Sequence, residues 1–366
     1  MEPALVDTNA LVAALLRDLA VVQTTRGSEW GYKGAASAVL QLEVPLEDLV
    51  KVDGALEQVP NIGPSSRKVI LEVLATGGSE RVERAVAASP KAADIARRRT
   101  LRHNFLSRAV VVATLARRLP RGPSRADYRG DLQMHSTWSD GGESIAELAA
   151  GCVDRGYTYC AITDHSAGLP IARGVSAERF VQQHREIDEV NRECAGRFHV
   201  FKGVETNIAA DGSLDVPPGE LSRFDIVLAA PHSKLRIADD QTARMVRAVS
   251  LAGVHVLAHP RGRMYGSRAG IIADWDRVFA VAAARHVAIE IDGDPSRQDL
   301  DYALAARALD AGCLLALDSD AHSTAELPNA DWAIAHARLA SAARDRIVNC
   351  WDVDRLREWC AMVRNQ

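Results

Sequence analysis

The sequence lacks three features that would each indicate a different class of protein. No apolar run approaches the roughly 18 residues needed to cross a bilayer. The N-terminus has no basic leader followed by an apolar block, so we expect no secretory signal and a cytoplasmic protein. The six cysteines form no CxxC pair, which indicates reduced thiols and argues against a disulfide framework or a zinc–thiolate site.

The residues that are present have the composition of a globular protein. Apolar residues make up 47% and charged residues 25% of the 366 positions, which is long enough for two or three domains. The charge is unevenly distributed, because residues 81–126 contain twelve Lys or Arg but only two acids. Such a basic block is typical of a contact with a polyanion, and equally of a solvated helix and linker.

The N-terminal part has helical patterns. Residues 5–25 have apolar side chains at helical spacing, with Asp7 or Thr8 as N-cap, and residues 34–42 predict a second helix. Between residues 56 and 78, two helical patterns flank a tight turn, PNIGP, which is typical of a helix-hairpin-helix. Such a turn needs positive φ, which Gly63 supplies freely and Asn61 tolerates. An ordinary corner between two helices is the alternative.

The exposed backbone N–H groups of such a hairpin can hold a DNA phosphate whatever the base sequence. The predicted DNA-binding residues are Asn61, Gly63, Ser65, Ser66 and Lys68. Residues 91–119 predict a further long basic helix, and the prolines and glycine at 120–123 then break the chain. We therefore expect a helical domain at 1–90, a basic helix and linker at 91–126, and a third domain at 127–366.

Residues 9–85 resemble the small N-terminal domain of family X DNA polymerases. The resemblance lies in Tyr32-Lys33, the following alanine pair and the hairpin. In some relatives this domain is also a lyase that uses a Schiff-base lysine, but Val69 stands at that position and Lys68 is only its neighbour. The resemblance therefore implies DNA binding without lyase activity. The polymerase domain of that family is missing, so we expect no polymerase activity.

From residue 128 the chain alternates short apolar runs with helical patterns, which is typical of repeated βα units. Seven of these runs end in His, Asp or Glu: DLQMHS, YCAITDHS, FHVFKGVETN, FDIVLAAPHS, VHVLAHPRGR, VAIEIDGDP and CLLALDSDAHS. Since active sites of βα barrels are built at the carboxyl ends of the strands, we expect these side chains to converge. Imidazole with carboxylate and no thiol suits zinc, manganese or iron(II).

Residues 127–366 resemble the PHP (polymerase and histidinol phosphatase) superfamily along nearly their whole length. The motifs are DLQMHSTWSDG, ITDHS, GVETNI, PHS, AHPRGR and DSDAHS. The resemblance implies an α/β fold, a distorted (βα)7 barrel, preceded here by the small all-α domain. It also implies two or three divalent metals (Zn, Mn or Fe) that serve phosphate-ester hydrolysis. The implied ligand sets are residue 133 with His135, Glu205 and Asp320; Glu205 with His232 and His259; and Asp140 with His165 and His322.

Three further residues have implied roles beside the metals. Asp164 and Asp318 are expected to orient imidazoles, and Arg263 to hold phosphate oxygens, with surface charge as the alternative for the arginine. One position departs from the family, which usually has His-x-His where this chain has Gln133 and His135. Because an amide oxygen is a weaker ligand than imidazole, we expect the first metal to be weak, exchangeable or absent.

Three functions remain open at this level. The first is a 3′–5′ exonuclease or end-processing enzyme of DNA repair, which hydrolyses DNA phosphodiesters or 3′-end phosphates and binds DNA through the hairpin and the segment 81–126. The second is a phosphatase for a small phosphate ester, similar to histidinol phosphatase. The third is a DNA-binding module without activity, whose metal site has degraded at Gln133.

Overall fold

The computed structural model describes residues 6–366, which form two units. Unit 1 contains the chain up to Arg117 together with Tyr265–Ser267, and unit 2 contains Arg118–Met264 and Arg268–Gln366. The predicted basic segment 91–126 is therefore divided between the units. Residues 1–5, where the first predicted helix and the argument about a leader begin, lie outside the described residues. Among the described helices, none is both long and apolar enough to span a membrane.

Unit 1 is helical and has one apolar core. Its helices are α1 (Thr8–Val22), α2 (Arg26–Gln41), α3 (Pro64–Thr76), α4 (Glu80–Ala87), α5 (Ala92–Thr100) and α6 (Arg108–Ala116). Asp7 caps α1, as predicted, by accepting a hydrogen bond from the Ala10 N–H. The core includes fully buried Val12, Leu16 and Ile70, which come from α1 and α3.

The second helix begins well before the predicted position at residue 34. Thr25 caps it by accepting a hydrogen bond from Ser28 N–H, so Gly27 and Gly31 lie inside the helix. Glycine lowers helix propensity by only about 1 kcal/mol per residue. The packing of α2 on α1 in the core offsets that cost, since tertiary packing supplies most helical stability.

The predicted hairpin differs from expectation in two ways. Asn61 takes the left-handed conformation, with φ of 64°, as expected, but Gly63 does not: its φ is −78°, and it is the N-cap of α3. The helical pattern predicted before the turn is wrong, because residues 50–63 contain no helix. Val59 precedes Pro60, and a residue before proline disfavours the helical conformation. After the turn, α3 ends at Gly77, which has φ of 75°, a left-handed conformation that glycine adopts without steric cost.

The basic stretch 91–119 forms two helices, α5 and α6, and not one long helix. Its arginines pair with acids of unit 1. Asp18 on α1 is buried and contacts the guanidinium groups of Arg99 at 2.6 Å and Arg102 at 2.7 Å. Arg97 and Arg98 both pair with Asp94. Much of the positive charge in this segment therefore stabilises unit 1 itself.

Unit 2 contains seven parallel strands in sequential order, as predicted. The strands are β1 (Gly130–Asp131), β2 (Tyr159–Ile162), β3 (His199–Asn207), β4 (Ile226–Ala230), β5 (Val256–Leu257), β6 (Ala288–Asp292) and β7 (Leu315–Asp318). The helices are α7 (Ile145–Asp154), α8 (Ala177–Cys194), α9 (Pro218–Leu221), α10 (Thr242–Ser250), α11 (Trp275–Ala284), α12 (Tyr302–Asp310), α13 (Ala330–Leu339) and α14 (Val353–Arg364).

The sheet is closed irregularly into a distorted (βα)7 barrel. Between its last and first strands, Met134 and Ala321 form an isolated parallel bridge just beyond β1 and β7. The Leu132 N–H also donates to the carboxylate of Asp318 at 2.8 Å. Nearly every strand residue is buried, as expected for parallel strands covered on both faces. Chain segments that leave the carboxyl ends therefore meet at one rim.

Candidate metal centre

The carboxyl ends of the strands bring the predicted imidazoles into direct contact. His135 follows β1, and its ring stacks on His165 at 4.3 Å and on His322 at 4.5 Å between centroids. His232 continues the array, with centroids 5.4 Å from His165 and 5.2 Å from His259. The five histidines of the strand ends therefore form one contiguous cluster, although their sequence positions span most of unit 2.

Glu205 lies at the middle of this cluster and is fully buried. Its Oε1 is 2.8 Å from His259 Nε2 and 3.2 Å from His232 Nε2, and its Oε2 is 2.9 Å from His165 Nδ1. Burial acts to raise the pKa of Glu205, but the imidazoles of His165 and His232 outweigh it and hold the pKa well below its usual range. Glu205 is therefore a carboxylate that faces several nitrogen atoms at once.

Asp140 forms a second meeting point with two of the imidazoles. Its Oδ1 is 3.6 Å from His165 Nε2 and 3.5 Å from His322 Nε2. Burial raises the pKa of Asp140, but the hydrogen bond with His322 and the nearby imidazoles lower it to about 2. This carboxylate is therefore ionised at any pH at which the protein would be studied.

Two groups of side chains offer ligand atoms close enough together to hold a divalent ion. One is His135, Asp140, His165 and His322, and the other is His165, Glu205 and His232. Some of the ligand atoms also lack hydrogen-bond partners among the described residues. Glu205 Oε2 and His165 Nδ1 are 2.9 Å apart, yet each is buried without a hydrogen-bond partner among the described residues. Once the imidazoles lose their protons, the nitrogen and carboxylate lone pairs that converge here fit a cation, and the donor types suit zinc, manganese or iron.

The first implied ligand set is only partly assembled. His135 Nε2 is 3.1 Å from Asp320 and 3.4 Å from Glu205. Gln133, by contrast, is fully buried, and its amide NH2 group donates to the carboxylate of Glu290. The Gln133 side chain is therefore hydrogen-bonded to Glu290, at the position where the sequence resemblance led us to expect an imidazole.

Two of the candidate ligands lie on left-handed backbone. His259 has φ of 24° and Asp320 has φ of 53°. Such conformations cost a non-glycine residue on the order of 1–3 kcal/mol and persist only where surrounding contacts impose them. At His259, the backbone N–H donates to Glu290, which helps to hold this conformation.

Asp164 and Asp318 order backbone rather than imidazoles. Asp164 accepts hydrogen bonds from the N–H and hydroxyl of Ser136, the hydroxyl of Ser139 and the amide of Gln183. It therefore holds the loop that carries His135. Asp318 accepts from Leu132 N–H and the Asn349 amide. The two aspartates were predicted to accept hydrogen bonds from histidines. They instead accept hydrogen bonds from the backbone and side chains of neighbouring segments.

The predicted phosphate holder, Arg263, is 4% exposed and has other partners. Its Nε donates to the carbonyl oxygens of Arg297 and Gln298, and its Nη1 contacts Asp301 at 3.2 Å. Arg263 therefore supports the loop after β6. The arginine beside the ligand cluster is Arg297, whose Nη2 is 3.2 Å from Asp320. The sequence pattern did not single out Arg297, because it lies beyond the strand end.

Two residues to which the motifs assigned no role, Asn207 at the end of β3 and Asp215, orient His232. Its Nδ1 is 2.6 Å from the Asn207 side-chain oxygen, and the Asn207 amide donates to Asp215 at 2.7 Å. Since the amide nitrogen faces Asp215, the oxygen faces His232, whose Nδ1 must then carry the proton. In this tautomer the Nε2 atom of His232 carries a lone pair, and it lies 3.2 Å from Glu205 Oε1, where a metal ion could be bound. Partners of this kind are usual behind metal-binding histidines.

Replacing Asn207 with Leu is expected to weaken metal binding by about 10- to 100-fold, since Leu preserves the size but removes the acceptor for His232. Competition with a metal chelator measures the change. Asn191→Leu is the matched control, because the Asn191 amide only binds the backbone of Val200. It should lower stability without lowering metal affinity. Equal affinity in Asn207→Leu and wild type would contradict this role.

Comparisons with known proteins give two kinds of relative. DNA polymerase/3′-5′ exonuclease PolX of Bacillus subtilis is 39% identical over 222 residues, which are 60% of this chain and 39% of PolX. A protein named probable phosphatase in Serratia proteamaculans is 29% identical over 209 residues, covering 53% of this chain and 79% of that protein. The chain thus spans about two fifths of the length of PolX. No protein-family model matches it.

Among solved structures, a histidinol phosphate phosphatase from Lactococcus lactis, in complex with zinc, L-histidinol and phosphate, aligns with a TM-score of 0.43 and 14% identity. The alignment covers 59% of this chain and 94% of that one. A likeness this weak adds no argument about activity.

Proposed function

We propose that this chain is a metal-dependent phosphoester hydrolase of the PHP superfamily. The observation that carries the proposal is the buried cluster in which His165 and Glu205 join two sets of potential metal ligands at the carboxyl ends of the strands. The order of the motifs along residues 127–366 and the similarity to PolX and to the probable phosphatases support membership of this superfamily.

The two groups of ligand atoms indicate which residues would bind each metal ion. His135, Asp140, His165 and His322 would hold one ion, and His165, Glu205 and His232 another, with His259 beside Glu205. Divalent metals at such sites clamp the attacking and leaving oxygens of a phosphoryl group and acidify water. Asp320 contacts His135 and would complete a further site, which Gln133 leaves weaker.

DNA ends are the proposed substrate, as in 3′–5′ exonucleases and end-processing enzymes of repair. The similarity to a protein named DNA polymerase/3′-5′ exonuclease supports this choice. Unit 1 provides a second support, because its hairpin and the first half of α2 line a groove of about 760 Å³. Gly63 caps α3 without a side-chain hydrogen bond, so the N–H groups of Ser65 and Ser66 in the first turn remain available to a phosphate.

A small phosphate ester is the second candidate substrate. The specific observation in its favour is the similarity to proteins named probable phosphatase. The match spans 79% of the length of each of these proteins. In that case the cluster would have the same chemistry, and unit 1 would not take part in substrate binding.

One assay of the purified, metal-loaded protein separates these possibilities. The substrates are DNA with 3′-phosphate, abasic, recessed and single-stranded ends, and p-nitrophenyl phosphate and histidinol phosphate as small esters. Release of nucleotides or phosphate from DNA with Mn or Zn is expected. Turnover of the small esters alone would favour the second candidate. Absence of both reactions and of bound metal would leave a non-catalytic DNA-binding module.

Two substitutions in unit 1 test its contact with DNA. Trp30 lines the groove and is 68% exposed, so Trp30→Ala is expected to weaken binding of single-stranded DNA by about 1–3 kcal/mol through lost base stacking. Lys68→Glu should lower both the affinity and the salt dependence of binding, which fluorescence anisotropy at several salt concentrations measures.

Lys51→Glu is the matched control for the lysine variant, because Lys51 is also exposed in unit 1 but lies outside both the hairpin and α3. Its effect on DNA binding should be smaller than that of Lys68→Glu. Equal effects would show that only the net charge of unit 1 matters and would contradict a specific site at the hairpin.

A further inference from the structure

A small apolar pocket lies next to the candidate metal centre. It has a volume of about 210 Å³ and lies among the loop after β2, the start of α8 and the segment around α9. Ser166, the residue after the candidate ligand His165, is part of its lining, and so is Asp215. Asp215 accepts hydrogen bonds from the Ser166 hydroxyl and from the Asn207 amide. Since Asn207 orients His232, one wall of the pocket is joined to the segments that carry two candidate metal ligands.

The other walls of the pocket are aromatic and aliphatic. Phe180 and Phe224 line it and contact each other edge to face, with ring centroids 4.9 Å apart. Both rings are buried and belong to one apolar cluster with Val175, so packing holds these walls in place. An apolar cavity of about 150 Å³ is large enough to bind benzene, whereas pockets for drug-sized ligands measure roughly 300–1,000 Å³. The volume therefore suits one ring system and not a whole nucleotide.

Two opposite charges add polar groups to this lining. Glu220 and Arg223 both line the pocket, and Arg223 Nη1 is 2.8 Å from Glu220 Oε2. Their side chains are 37% and 47% exposed, so both also reach solvent. A carboxylate and a guanidinium each have more hydrogen-bonding positions than one ion pair uses. The pocket therefore offers apolar walls together with an acceptor and donors. A nucleobase has the complementary surface, with apolar faces and an edge of amino groups and ring acceptors.

We propose that this pocket binds the base of the terminal nucleotide whose phosphate is held at the metal centre. The proposal rests on the proposed hydrolysis at DNA ends and deepens it, because it names the part of the substrate that is recognised beside the phosphate. The base contacts the rings of Phe180 and Phe224, and its polar edge faces Glu220 and Arg223. All four bases have such a ring and such an edge, so the pocket recognises the presence of a base more than its identity.

The test compares two ligands that share a sugar and a phosphate. Full-length, metal-loaded protein is titrated with deoxyadenosine 5′-monophosphate and with 2-deoxyribose 5-phosphate, which lacks the base. We expect calorimetry to give at least about fivefold higher affinity for the nucleotide, the lower end of the range for stacking on an aromatic side chain. Ala177→Trp should abolish this difference. Ala177 is exposed at the start of α8 and lines the pocket, so a larger side chain there fills it.

Gln182→Trp is the matched control, because it adds the same side chain to an exposed position on a different face of α8. It should keep the wild-type difference between the two ligands. Phe180→Leu provides a second, milder variant, since leucine keeps an apolar wall but removes the ring. It should reduce the difference without abolishing it. Circular dichroism confirms that each variant is folded.

Hydrolysis of DNA separates this proposal from the proposed function. Wild-type protein should degrade a 3′ end that carries a terminal base faster than the same end with a terminal abasic site, and Ala177→Trp should lose this preference. Equal affinity for the two ligands in the wild type, failure of both to bind, or a difference that persists in Ala177→Trp would overturn the pocket assignment, even if DNA is hydrolysed. A base-dependent affinity that Ala177→Trp removes, without release of nucleotides from DNA, would instead refute the proposed function alone.

Discussion

Glu205→Gln is expected to remove metal from the centre and to lower kcat for phosphate-ester hydrolysis by about three orders of magnitude. Glu205 is fully buried, and its two oxygens lie within 3.4 Å of His135, His165, His232 and His259. A neutral amide keeps the size but loses the charge that attracts a cation. Loss of a metal ion removes several kcal/mol of transition-state stabilisation, and each 1.36 kcal/mol corresponds to about tenfold in rate.

Elemental analysis and steady-state kinetics measure the two effects on the same sample, with circular dichroism to confirm folding. The matched control is Glu189→Gln on α8, an exposed glutamate whose nearest cation is Arg192 at 3.7 Å. It should change neither metal content nor rate. A Glu205→Gln protein with full metal and full activity would show that the centre is not organised around this carboxylate.

Metal binding is expected to strengthen steeply as the pH rises from 7 towards 9. Burial lowers the pKa of His165, but Glu205 outweighs it and raises the pKa to about 9. Burial also lowers the pKa of His322, and Asp140 and Asp320 outweigh it, again giving about 9. In the metal-free protein both imidazoles are therefore protonated at pH 7. Each must lose its proton to bind a metal, so affinity should rise about tenfold per pH unit for each, or about 100-fold together.

Calorimetry in buffers of different ionisation enthalpy counts the protons released on metal binding. The expected number is close to two at pH 7 and falls towards zero above pH 9. His322→Gln removes one of the two imidazoles, so its affinity should change about tenfold and not about 100-fold per pH unit. Metal affinity that does not depend on pH in this range would contradict the raised pKa values.

The same pKa shifts predict how the metal-free protein responds to pH. A group whose pKa is raised on folding contributes stability that is present below its unfolded pKa and lost as the pH passes the folded value. For His165 and His322 this window runs from the ordinary value of 6.5 to about 9. Chelator-treated protein should therefore melt at a lower temperature at pH 9 than at pH 6. Bound metal should reduce the difference, because the imidazoles are then unprotonated throughout.

The barrel and the meeting of the ligand series could be expected from sequence, because parallel strands bring their carboxyl ends to one rim. Any polar residue that ends such a strand lies near the others, whatever its distance along the chain. The repeated runs therefore predicted both the seven strands and the neighbourhood of His135, Glu205 and His232. Helix ends were less predictable, as α2 shows, because packing on α1 outweighed the glycines within it.

The hydrogen-bond partners of these residues could not be predicted, because they depend on loops that follow the strands. Asp215 and Arg297 lie in no recognisable motif, and Asn207 lies within GVETNI without a predicted role; each contacts a side chain brought from another segment. The partners of Asp164 were not predicted either, because its carboxylate accepts hydrogen bonds from the loop with Ser136 and Ser139 and not from the predicted imidazole.

The sequence by itself determined the residue types available at the rim, and thus the class of metal and of reaction that we propose. Only the tertiary structure decided how charge and hydrogen bonds are shared among them. Gln133 pairs with Glu290, and Arg99 and Arg102 of the basic segment pair with buried Asp18. The physical reason is the same in each case. A buried polar group must find a partner, and that partner is chosen by proximity in three dimensions, which spacing along the chain does not specify.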